Sequence, residues 1–265
     1  MSDAVRAVDA GLLDPALALA HDETLGRDPG VATLLLWRTR PAVVIGRFQR
    51  ADWEVDPAAC AVRGVGVWRR FTGGGAVYLD RGTLCVGLAA PPGHLWSQLD
   101  VPRMYAPLLD GIVRACLAQG VDAERDERTV RMGGRKVTGI AAHHGRGGVL
   151  VHGTLLIDAD LESLRACLAG PRGGDLGGAP RPAPSRPDHV ANVVGDGWEA
   201  ALIDAFEARP EPLDADRVER AAALAAQKYH DPAWHAGSWM ELTSPEVRAL
   251  LPSARSAGSA GSASS

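Results

Sequence analysis

An α+β fold, with helices packed on one face of a sheet, is the class that this sequence predicts, on three observations. Strand-like and helix-like segments interleave without a regular βαβ alternation. Of the 265 residues 46% are hydrophobic, enough for one sizeable core. No internal repeat divides the chain into stacked units.

The elements follow in chain order. Residues 12–25 carry apolar positions at helical spacing, Leu13, Ala16, Leu17 and Ala20, and Asp14-Pro15 supplies a cap and a first turn. Residues 32–37 and 42–46 are apolar runs of strand length, with 38–41 as the turn between them. Residues 64–70, 75–78 and 83–89 continue the sheet, and Asp80-Arg81-Gly82 reads as hairpin punctuation. Residues 101–119 form a helix that stops at Gly120. Residues 130–132, 135–142 and 148–157 are further strands, 160–168 a short helix, and 198–208 and 214–229 two more helices. The Gly/Pro-rich stretch 170–187 predicts a mobile loop, and the Ser/Ala/Gly-rich residues from 253 to 265 a disordered tail. One domain over residues 1–250 results.

Composition excludes several classes. The net charge is -4, so no electrostatic footprint for nucleic acid is present. No basic region precedes an apolar block at the N-terminus, and no apolar run is long enough to span a bilayer. Cys60, Cys85, Cys116 and Cys167 are widely spaced, without a CxxC pair or a nearby histidine at ligand spacing. Four reduced, buried thiols in the cytoplasm are the expectation, with no metal ligand assigned.

Three segments carry chemistry. The first is RRFTGGGAVY (69–78). Three glycines after a strand let backbone approach a ligand and turn N–H groups toward anionic oxygens, and Arg70 adds a fixed cation. A tight turn between strands explains the same glycines. No Lys-Ser or Lys-Thr follows them, so this is not a P-loop, and it is not GxGxxG. The second is GGRKVTGIAA (133–142). Strand alternation would place Lys136 and Thr138 on one face and Val137 on the other. Only Lys136 and Lys228 are lysines among 28 basic side chains, which sets Lys136 apart. The third is VHGTLLID (151–158), where His152 sits among apolar residues, as satisfied core histidines ordinarily do.

Together with PAVVIGRFQ (41–49) and QKYHDPAWHAG (227–237), these strings stand in an order and spacing that resemble the lipoate-protein ligase A family, within the biotin/lipoate ligase and octanoyltransferase superfamily. The resemblance spans roughly residues 12–240. It implies a class II synthetase-like catalytic domain with a central, mostly antiparallel sheet flanked by helices. It implies an ATP- and Mg²⁺-dependent ligase that adenylates lipoate and passes the lipoyl group to a lysine of a carrier domain, in a 2-oxoacid dehydrogenase or the glycine cleavage system. Lys136 would bridge the lipoyl carboxylate and the α-phosphate. Arg70, Gly73, Gly74, Gly75, Ala76, Val77, Tyr78, Thr138, Gly139, His152 and Gly153 would line the nucleotide and acyl site.

The sequence departs from the family pattern at Leu79, where a histidine is usual, at Gly82-Thr83, and at Arg128-Thr129, where the family has Asn-Asp. Asp126 and Glu127 are the nearby acids that could serve Mg²⁺ instead. The expectation is a chain without the small C-terminal accessory domain, with a separate polypeptide supplying it and a reaction without it both left open. One rival is an ATP-independent octanoyl or lipoyl transferase, which needs an accessible, activated cysteine. The position nearest that pattern is Cys167, on the apolar face of a short helix. Another rival is a non-catalytic protein that binds lipoate or an acyl nucleotide.

Overall fold

The computed structural model describes residues 4–96, 100–168, 189–237 and 243–252. The stretch expected to be a loop and the expected tail lie outside the described residues.

The chain opens on a strand, β1 (Arg6–Leu13), and enters helix α1 (Pro15–Arg27) through Asp14, whose carboxylate accepts from Ala16 N at 2.9 Å. Strands β2 (Thr33–Thr39) and β3 (Ala42–Ile45) follow, then two short helices, α2 (Ala51–Glu54) and α3 (Pro57–Val62). Next come β4 (Gly66–Arg69), β5 (Val77–Leu79), β6 (Thr83–Ala90) and helix α4 (Val101–Ala118). The second half holds β7 (Ala123–Arg125), β8 (Val130–Met132), β9 (Arg135–Lys136), β10 (Thr138–His144), β11 (Val149–Leu156) and α5 (Leu161–Cys167). It ends in α6 (Trp198–Ala205), β12 (Arg209–Pro210), α7 (Ala215–Leu224) closing in a π turn (Ala225–Tyr229), α8 (Pro232–Ala236) and α9 (Pro245–Arg248).

The central sheet runs β10-β11-β6-β2-β1-β12. It is antiparallel from β10 to β2 and parallel from β2 to β12. Two three-stranded sheets flank it, β4-β3-β5 and β7-β8-β9. The expected turn between residues 32–37 and 42–46 therefore connects two sheets rather than two paired strands. The expected hairpin at residues 80–82 is the same kind of crossing: β5 pairs with β3, while β6 pairs with β2 and β11.

Helices cover both faces of the central sheet, not one. On one side Leu34, Leu36, Leu84, Val86 and Leu88 pack with Leu108, Leu109 and Ile112 of α4 and with Trp198 and Leu202 of α6. On the other, Leu35, Trp37, Cys85, Ala89 and Leu150 pack with Leu19 and Leu25 of α1 and with Ala221 of α7. Every residue of β6 is buried. Such a strand loses the in-out alternation of a one-faced sheet, and the hydrophobic effect acts on both its surfaces.

The predicted strand over residues 135–142 is two strands. Lys136 pairs with Arg131 in the β7-β8-β9 sheet, whereas Thr138 pairs with Leu155 in the central sheet. Val137 between them is fully buried in the core. This change of sheet separates Lys136 from Thr138, against the alternation expected of one continuous strand.

The C-terminal segment folds back on the start of the chain. Lys228 Nζ donates to both oxygens of Glu23 (2.8 and 2.7 Å), and Tyr229 OH donates to Glu23 Oε2 (2.6 Å). His235 is completely buried and accepts Arg69 N–H on Nδ1 (2.8 Å), so its Nε2–H donates to Tyr229 O (2.9 Å). Burial holds this imidazole down to about 4. The unfolded chain takes up that proton near 6.5 and the native one near 4, so stability is fully present above 6.5 and is lost as pH falls through 4. The expected loss is about 3 kcal/mol between pH 7.5 and 4. Buried His21 and half-buried His143 shift the same way, through desolvation first. Urea midpoints measured across this range should fall steeply for the natural chain and less steeply for His235→Gln. Equal slopes would refute the assignment.

Candidate functional site

A cavity of about 110 Å³ opens between α1, the glycine segment and strands β6, β10 and β11. Its apolar wall consists of Leu19, Trp37, Val44, Val77, Leu79, Cys85, Val86 and Ile140. Its polar groups are Asp22, Arg70, Lys136, His152 and Thr154. The two motif cations Arg70 and Lys136 thus meet here with the motif histidine, on elements far apart in sequence.

The glycine segment is shaped by Arg70. Its guanidinium donates to Thr72 Oγ1 (3.0 Å), Val44 O (3.2 Å), Gly73 O (2.5 Å) and Gly75 O (2.8 Å). A side chain with so many carbonyl partners folds the loop around itself. Gly74 has φ 88°, and a Cβ there would stand 2.9 Å from Arg70 Nη2. Gly46 lies so close to Gly74 O that any Cβ would overlap it. Burial lowers Arg70 to about 10, opposed by Tyr105 and Asp22, so the guanidinium stays charged at neutral pH.

Lys136 approaches the cavity from β9. Among the described residues its ammonium has no hydrogen bond or ion pair. Burial lowers its pKa, Arg131 adds to the shift and Asp126 opposes it. Asp126 is itself engaged by the backbone N–H groups of Arg128 (2.7 Å) and Thr129 (3.0 Å). Burial acts to raise its carboxyl, yet these donors and Arg131 hold it below the usual range.

Not every expected residue reaches the cavity. Gly75, Ala76, Val77, Gly139 and Gly153 line it together with Arg70, Lys136 and His152. Gly73 and Gly74 form the loop behind it. Tyr78 does not line it: the ring is buried on the opposite side with Val43, Cys60 and Leu164, and burial raises its phenol to about 12. Thr138 does not line it either. Its hydroxyl accepts Val130 N–H (2.9 Å), while Thr129 Oγ1 donates to Thr138 O (2.9 Å). Thr129, one departure from the family pattern, is therefore a strand fastener. Leu79, another, extends the apolar wall.

Asp22, Glu23, Trp37 and Thr72 belong to the site or its support although no motif singles them out. Asp22 accepts from Trp37 Nε1 (3.0 Å) and lies 2.6 Å from His152 Nδ1, and His152 Nε2 lies 2.7 Å from Thr72 Oγ1. The available signal was three polar residues, His21-Asp22-Glu23, on a helix between Leu19 and Leu25 on the buried side.

All four cysteines are buried and free. Cys167 is fully buried beside Cys60, whose thiol is pushed up by its hydrogen bond to Cys167 and by burial. Burial raises Cys116 to about 11. Cys85 does line the cavity, yet burial first and Asp22 second push its thiol well above the usual range. Among the described residues no group of three or more His, Cys, Asp or Glu could hold a metal ion, and no helix is long and apolar enough to cross a membrane.

Residues 14–204 match the family model described as the lipoyl protein ligase A/B catalytic domain. The chain is 28% identical over 247 residues to lipoate-protein ligase A subunit 1 of Thermoplasma acidophilum, covering 83% of this chain and 92% of that one. It is 30% identical over 263 residues to octanoyltransferase LipM of Kyrpidia tusciae, covering 84% and 92%. A match to a probable lipoate-protein ligase A of Mycoplasma pneumoniae, 30% identical over 135 residues, takes in 51% of this chain and only 39% of that protein. Among solved structures, a lipoate-protein ligase A bound with ATP superposes with a TM-score of 0.74 at 26% identity, over 89% of this chain and 99% of that one. A ligase from Thermoplasma acidophilum with bound lipoic acid superposes with a TM-score of 0.73 at 26% identity, over 89% and 100%.

Proposed function

Because the chain belongs to the lipoyl protein ligase A/B catalytic-domain family, we propose that it is the ATP-dependent member of the pair its relatives represent: it adenylates lipoate and transfers the lipoyl group to a lysine of a carrier domain. The observation that carries the reading is Lys136, a half-buried ammonium at the cavity without a hydrogen-bond or ion-pair partner among the described residues. A cation left so exposed to desolvation needs an anion to balance it. A carboxylate and a phosphate are the anions that adenylation brings together.

In the first step a carboxylate oxygen attacks the α-phosphorus of ATP and pyrophosphate leaves. Lys136 offsets negative charge on the attacking carboxylate and at phosphorus as it grows in the transition state. In the second step the acceptor amine, having lost a proton, attacks the acyl carbon and AMP leaves. The apolar wall from Leu19 to Val86 would hold the acyl chain. Mg²⁺ would arrive with the nucleotide, whose phosphates and waters supply most of its ligands. Asp126, the carboxylate that acts on Lys136 electrostatically, would have to give up contacts with the Arg128 and Thr129 N–H groups or with Arg131 to join them.

The transferase reading has support in the likeness to an octanoyltransferase. It requires an accessible thiol. Cys85, the cysteine that lines the cavity, is pushed up by burial, and Cys167, although its hydrogen bond with Cys60 lowers it, is fully buried away from the cavity. The test uses the purified chain with ATP, Mg²⁺ and lipoate, measuring pyrophosphate with and without an acceptor carrier domain, and acceptor mass. Pyrophosphate release and a lipoyl mass gain are expected. Acyl transfer from an octanoyl carrier protein without ATP would overturn the reading. Lipoate binding with neither activity would leave a binding protein. Pyrophosphate release that appears only with a second polypeptide would add an accessory subunit, as in the bipartite ligase of Thermoplasma acidophilum.

A further inference from the structure

We propose that Asp22 is a positioning residue for the adenylation site, acting on Arg70 through His152 and Thr72. The inference rests on the ligase reading for its kinetic consequence, though not for its structural one. Four side chains from three elements form a continuous chain across the cavity wall: Asp22 on α1, His152 on β11, then Thr72 and Arg70 of the glycine segment. The links are Asp22 Oδ2 to His152 Nδ1 (2.6 Å), His152 Nε2 to Thr72 Oγ1 (2.7 Å), and Arg70 Nε to Thr72 Oγ1 (3.0 Å).

Donor and acceptor rules direct the chain one way. Arg70 only donates, so Thr72 Oγ1 accepts from it. The Asp22 carboxylate only accepts, and its other oxygen is taken by Trp37 Nε1–H (3.0 Å). Nδ1 of His152 therefore carries a hydrogen and donates it to Asp22. The remaining nitrogen, Nε2, accepts the Thr72 hydroxyl hydrogen in the neutral imidazole. A buried guanidinium at one end thus faces a buried carboxylate at the other, across the imidazole and the hydroxyl. Asp22 has 2% exposure and Arg70 5%. Three of the four Arg70 partners belong to the glycine segment, so the geometry of that segment depends on a residue about fifty positions earlier.

In Asp22→Asn the shape is kept and the polarity inverts. The amide orients to suit Trp37 and donates to His152 Nδ1, the hydrogen moves to Nε2, and Thr72 can no longer donate there. Nitrogen NMR of histidine-labelled protein at pH 8 reads the tautomer directly and needs no activity. We expect a protonated Nδ1 and a bare Nε2 for His152 in the natural chain, and the reverse in Asp22→Asn. Pyrophosphate release should fall at least tenfold in kcat in Asp22→Asn and equally in Thr72→Val, while Thr72→Ser restores it and KM for ATP changes less than threefold. A bare Nδ1 in the natural chain, or full kcat in Thr72→Val, overturns the proposal. If the natural chain releases no pyrophosphate, the ligase reading fails, and the NMR result still decides the relay.

Discussion

Replacing Lys136 with alanine is expected to lower the rate of pyrophosphate release by roughly 10²–10³-fold, the effect of removing one fixed charge donor from a preorganised site. The fold should survive. Among the described residues Lys136 makes no side-chain hydrogen bond, and it is only half-buried, so the change in stability should stay within about 1 kcal/mol. Lys136→Arg keeps the charge but replaces a compact ammonium by a broad planar group, and should recover only part of the rate. Single-turnover pyrophosphate release with lipoate and ATP, beside a urea midpoint for each variant, separates the two quantities. Turnover within threefold of the natural chain in Lys136→Ala would remove this residue from the chemistry.

Arg69 is expected to dominate stability as Lys136 dominates rate. Its side chain is buried, and its guanidinium donates to five carbonyl oxygens: His235 (2.9 Å), Gly46 (3.1 Å), Arg47 (2.9 Å), Gln49 (2.7 Å) and Ala236 (3.2 Å). Burial lowers it to about 10, which leaves it charged at any neutral pH. One planar fork thereby ties α8 to the turn after β3. Arg69→Leu removes the donors and strands the acceptors, an expected loss of roughly 3–5 kcal/mol. Arg69→Lys should lose nearly as much, since three donors on a flexible stem cannot serve carbonyls on two segments. Urea unfolding gives the magnitude, and hydrogen exchange over residues 225–237 should show that segment opening first. A loss below 1 kcal/mol would contradict the assignment.

Much of this architecture is legible in the residues, and the failures have physical causes. Helices α1, α4 and α5 announce themselves by apolar period and by Asp14, Asp100 and Asp160 as caps. Strand β1 does not, because only Ala7 and Val8 of its eight residues are buried and Gly11 interrupts it. Pairing across sheets is a long-range property, so 32–37 and 42–46 look like a hairpin although their partners lie elsewhere. In the site, Arg70, Lys136 and His152 were marked by unusual residues in glycine-rich or apolar settings. Tyr78 and Thr138 were carried along by neighbours in the same motif, and their side chains point to other partners. Asp22 sat in a run of polar residues that reads as a solvated helix face until the helix is seen buried on both sides of it. The string at 227–237 was recognisable without any visible role, because what it does is hold Glu23 and Arg69, more than a hundred residues away.

That last clamp also sets an order of events during synthesis. Glu23 leaves the ribosome early, but Lys228 and Tyr229 are made more than two hundred residues later. Until they emerge, α1 carries a carboxylate that has Arg27 as a neighbour and lacks its other two partners. Asp22 is the adjacent residue on the same helix. The carboxylate of Glu23 thus has its full set of partners only when residues 228 and 229 are in place.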